Sequence, residues 1–128
     1  MEYKEYYTEL GKLLYAVAKA DGEVQDEELY QIYKIVVEEI SDDNLFERGE
    51  EVDSYYTEFE FEALIDKNTD MHEAFNSFLL FYGENEKDFT KKMKLTTLKA
   101  MEAVANAYEG IVPEEQLLID NLKKRLLK

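Results

Sequence analysis

Four carboxylates, Asp21, Glu23, Asp26 and Glu28, fall within eight residues around Gly22. Oxygen donors at that density suit a hard cation such as calcium, magnesium or manganese, which takes several carboxylate, carbonyl or water ligands. A sparser second group, Glu109, Glu114 and Glu115, surrounds Gly110 and Pro113, and Glu109 and Glu115 are its candidate ligands. The first group is not an EF-hand. With Asp21 at the fifth loop position, Gly22 at the sixth and Glu28 at the twelfth, the first and third ligands would be Val17 and Lys19, which cannot serve. The same residues also have a use that needs no metal. Gly22 suits the left-handed turn that ends a helix, and acidic side chains favour the positive N-terminus of the helix that follows.

Other chemistry is thinly represented. His72 is the single histidine and there is no cysteine, so thiolate zinc sites, disulfides and cysteine nucleophiles are excluded. No serine is placed to be activated by His72, and the sequence predicts a solvated residue in the first turn of a helix. Neither a phosphate loop nor a glycine-rich dinucleotide fingerprint is present. Asp53-Ser54-Tyr55 only faintly echoes the attachment signal of an acyl carrier protein. Many carboxylate pairs could serve as acid and base, but spacing alone prefers none.

Helices must position these groups. Tyr3, Tyr6, Tyr7, Leu10, Leu14 and Val17 recur at three- and four-residue steps and predict a helix ending at Asp21-Gly22. Leu29, Ile32, Tyr33, Val36 and Ile40 form the inward stripe of a second helix, followed by a turn at Ser41-Asp42-Asp43-Asn44. From Leu45 to Lys67 the pattern predicts a loop and then a short helix with Tyr56, Phe59, Ala63 and Leu64 inward. Thr69 or Asp70 caps a helix over Met71, Phe75, Phe78, Leu79 and Tyr82 that ends at Gly83. Phe89, Met93, Leu98, Met101, Val104 and Ala105 carry a long helix to Glu109-Gly110. Pro113 opens the last, with Leu117, Leu118, Leu122 and Leu126 inward and Lys123, Lys124, Arg125 and Lys128 at its negative end. The expectation is one all-α domain over residues 1–128, a bundle of about six to seven helices.

The two glycine corners echo each other. Ala16 to Glu28 resembles Ala103 to Glu115, with one extra residue before the second glycine. The chain therefore reads as two related helical hairpins with an inserted middle. At this point the residues resemble a family: Ala20, Asp21, Gly22, Val24 and Glu28 look like the turn of the tellurite-resistance TerB-like domain. The resemblance implies an all-helical bundle with two such hairpins, used in bacterial stress-response and membrane-associated systems, with acidic clusters suggested to bind divalent metal. The second corner departs from the pattern, with Tyr108, Glu109 and Gln116 standing where the first has Ala20, Asp21 and Glu28.

Composition limits the partners. The chain of 128 residues has a net charge of −15 and a pI near 4.4, a field that repels phosphate backbones and anionic lipids. Nucleic acid is not expected, and basic partners or cations are favoured. No apolar run is long enough to span a membrane, so a cytoplasmic protein is the expectation. Phe61 and Phe81 lie off the predicted inward stripes, which makes them candidates for an exposed aromatic patch that takes a protein partner or a second copy. The reading is a non-enzymatic TerB-like module that binds a protein or a divalent cation. The alternative is a metal-dependent enzyme whose carboxylates converge only in three dimensions.

Overall fold

The computed structural model describes residues 1–36 and 54–128, and among these all regular structure is helical. Six α-helices follow in order: α1 (Tyr3–Lys19), α2 (Asp26–Ile35), α3 (Tyr55–Lys67), α4 (Met71–Glu84), α5 (Lys91–Asn106) and α6 (Pro113–Leu126), with a short 3-10 turn at Glu86–Asp88 before α5. The all-α bundle is thus as the periodicity predicts. Ile40, the turn at Ser41–Asn44 and the loop expected after Leu45, up to residue 53, lie outside the described residues.

The bundle is built around α1. Its stretch from Leu13 to Ala18 is buried on every side, which a helix tolerates only when other helices cover its whole circumference. That cover comes from α3 and α4, which flank it as the inserted middle, and from α5 and α6 of the second hairpin. In turn, α2 packs on α5. Each hairpin therefore rests on the other rather than standing alone.

Helices α1 and α3 approach each other closely. Gly11 is buried in α1, and a Cβ there would lie 2.5 Å from the Thr57 carbonyl oxygen and 3.0 Å from Glu60 Cβ. Thr57 supports the same seam, its hydroxyl donating to the Tyr7 carbonyl at 2.8 Å. At the other end of α3, Asn68 takes a left-handed conformation that terminates the helix, and the Tyr15 hydroxyl donates to the Thr69 carbonyl at 2.6 Å.

Several expected faces are corrected by the packing. Phe61 and Phe81 are 0% and 8% exposed, so they form no aromatic docking patch. In α3 the inward face is Thr57, Phe61 and Leu64, while Phe59 points outward at 58% exposure. The stripe was misphased because its polar member, Thr57, is buried by a hydrogen bond to backbone rather than by hydrophobicity. Phe81 reaches the core through Phe89, whose ring meets those of Tyr6, Phe78, Phe81 and Tyr82 at centroid distances of 5.7, 6.3, 6.0 and 4.8 Å. Phe89 itself precedes α5, which starts at Lys91 with Thr90 as its cap, the Thr90 side chain accepting from Met93 N–H. Leu117, expected inward, is 69% exposed. The inward residues of α6 are Glu115, Leu118, Ile119, Leu122 and Leu126. Finally, α4 runs one residue past Gly83, to Glu84.

Candidate functional site: the two acidic corners

Each corner is built from six connecting residues, 20–25 between α1 and α2 and 107–112 between α5 and α6. Equal length corrects the sequence alignment, which required one extra residue in the second corner. Ala20 pairs with Ala107, Val24 with Ile111 and Glu28 with Glu115. Gly22 then pairs with Glu109, not with Gly110. The backbone agrees, since Gly22 has φ +106° and Glu109 has φ +53°, both in the left-handed region. Gly110, at φ +85°, follows as a second left-handed residue. Val24 and Ile111 both pack against the core, fixing the corners to the bundle at equivalent points.

The corresponding glutamates have corresponding roles. Glu28 is the third residue of α2, and its carboxylate accepts from the Gln25 N–H at 2.8 Å. Glu115 is the third residue of α6 and accepts from the Val112 N–H at 3.0 Å. Both thus tie a helix to the residue before it, the glutamate half of a capping box. Both are 2% exposed, which is unusual for a carboxylate without a cation beside it. This equivalence was missed in the sequence because the glycines, not the glutamates, anchored the comparison.

Burial and shared charge then act on the pair. Burial pushes the Glu28 carboxyl up to about 7, opposed by the Gln25 hydrogen bond and reinforced by the negative charge of Glu115, Asp21 and Glu27. Glu115 is raised by the same causes: burial first, opposed by the Val112 bond, then Asp21 and Glu114. Asp21 therefore faces both glutamates electrostatically. Its own Oδ1 accepts from the Glu23 N–H at 3.2 Å, which holds it in the turn.

The candidate ligands do not all converge. Asp21, Glu23 and Asp26 are exposed, as is Glu109, whereas Glu28 and Glu115 are buried. Among the described residues, no three His, Asp or Glu side chains are grouped as a ready-made metal cage. The charge of Asp21 acts on Glu28 and Glu115, whereas Glu23, Asp26 and Glu109 do not contribute to their shifts. His72 is exposed on the first turn of α4, beside the capping Asp70, whose side chain accepts from Glu73 N–H. No family model, curated protein or solved structure matches this chain. No described helix is long and apolar enough to cross a membrane.

Proposed function

We propose that this chain is a non-enzymatic, TerB-like binding module whose two buried capping glutamates, with Asp21, take up a hydrated divalent cation. The observation that supports this is the burial of Glu28 and Glu115 at equivalent capping positions, one in each hairpin, both biased toward protonation in the field of Asp21. A buried carboxylate in the field of like charges is relieved either by a proton or by a cation. A magnesium-like ion keeps several of its waters and needs only one or two protein carboxylates. That mode of binding suits a corner with two interacting glutamates and one exposed aspartate better than a closed calcium cage does. Affinity is correspondingly weak, with Kd on the order of 10⁻⁴–10⁻³ M. The stress-response setting is what the family resemblance implies, carried by Ala20, Asp21, Gly22, Val24 and Glu28.

Calorimetric titration at pH 8 with magnesium, calcium and manganese tests the proposal, using wild type, Asp21→Asn and Glu115→Gln. Wild type should give a saturable heat and a higher Tm in the presence of the ion. Both variants should bind at least about fivefold more weakly, since each removes one charge from a site bound mainly by charge. They are suited to the test because Asp21 is exposed and glutamine can replace glutamate in a capping box. Identical heats in all three proteins would remove the site.

A further inference from the structure

A groove of about 500 Å³ runs between the N-terminal half of α1 and the C-terminal half of α4. Its floor is apolar, made by Leu80, which is 66% exposed, with only the edge of the buried Phe81 ring reaching it. Its walls are acidic, with Glu2 just before α1, Glu5 and Glu9 from α1, and Glu84 from α4. The local charge is not balanced from within. Glu9 is engaged by Lys12 at 3.0 Å and by the Ser77 hydroxyl at 2.9 Å. Lys4, the lining cation, lies over the Tyr56 ring at 4.8 Å from its centroid, a cation–π contact. Among the described residues, Glu2, Glu5 and Glu84 have no ion-pair partner and are exposed.

From an apolar floor between unpaired carboxylates we infer that this groove is a docking surface for a basic amphipathic segment of a partner protein. The partner presents an apolar side chain to Leu80, and lysine or arginine side chains about one helical turn away to Glu2, Glu5 and Glu84. Spacing supports a helical ligand, because Glu2, Glu5 and Glu9 ascend one face of α1 over two turns, about 10 Å. Charge selects the class of partner. At −15 overall, the chain repels a second copy and an anionic membrane alike, and accelerates encounter with a cationic one. The groove lies at the opposite end of α1 from the Asp21 corner, so it does not depend on cation binding there.

Fluorescence anisotropy with the intact chain tests this. The probe is a labelled peptide of leucine and lysine patterned as an amphipathic helix, compared with a leucine–glutamate and a serine–lysine version. Only the leucine–lysine peptide should bind well. A double variant, Glu5→Lys with Glu84→Lys, should weaken it by about tenfold or more, and Leu80→Ser by several-fold, with circular dichroism confirming the fold. The control makes the same charge change elsewhere, at Asp26→Lys with Glu114→Lys. If the control weakens binding as much as the groove variant, or if the serine–lysine peptide binds equally well, attraction is only to net charge and the groove assignment is overturned. Loss of cation binding at the corner would leave this result untouched.

Discussion

At the scale of single residues, Gly11 shows how little of a close approach can be read from sequence. It sits inside a run of helical, mostly apolar residues where glycine is unfavourable by about 1 kcal/mol relative to alanine. Its reason is the Thr57 carbonyl, which occupies the space a methyl group would need. Gly11→Ala should therefore destabilise the protein by about 1–3 kcal/mol, despite alanine's better helix propensity, because α1 and α3 must separate. Urea denaturation measures this, and a variant more stable than wild type would show that the seam is looser than described. Phe61 and Phe81 teach the same lesson from the other side. They were expected outside because a hydrophobic stripe cannot register a buried threonine or a ring held by a neighbour outside any helix, as Phe89 is.

At the scale of elements, much was legible. All six helices were expected, with the two glycine corners, the cap at Asp70 and the helix start at Pro113, because periodicity and capping are local properties of the chain. What escaped was the equivalence of Glu28 and Glu115, which depends on backbone conformation rather than on residue identity. Glu109 occupies the left-handed position that glycine fills in the first corner. Such a conformation costs an ordinary residue about 1–2 kcal/mol, so the second corner is under strain. Glu109→Gly should raise stability by about 0.5–1 kcal/mol. The converse, Gly22→Ala, should lower it by about 1–2 kcal/mol through backbone alone, since nothing lies within 4 Å of the added methyl. Both changes appear as shifts in the midpoint of urea unfolding. A loss of stability in Glu109→Gly would mean that its side chain contributes more than its backbone costs.

For the molecule as a whole, the corner makes stability depend on pH in a stated direction. Glu28 holds its proton up to about 7 when folded, against 4.5 for an ordinary glutamate, and Glu115 is shifted the same way. Between those limits the folded chain binds more protons than the unfolded one, so stability falls as pH rises through the window and stays low above it. Thermal unfolding should show a higher Tm near pH 5 than near pH 8. Glu28→Gln should flatten that slope and exceed wild type at pH 8, since it keeps the capping acceptor without the charge. General repulsion from the net charge of −15 acts in the same sense, and the variant separates the two. A wild-type Tm that climbs from pH 5 to pH 8 would contradict the buried pair.

The central position of α1 also governs how the chain is made. Tyr6 in α1 shares a hydrogen bond of 2.8 Å with Thr97, 91 residues later, and α6 completes its cover. Because α1 is made before α5 and α6, its full burial waits for helices synthesised after it. Until α5 and α6 are synthesised, part of its greasy circumference lacks the cover they provide, an interval in which a nascent chain is open to chaperones and to aggregation.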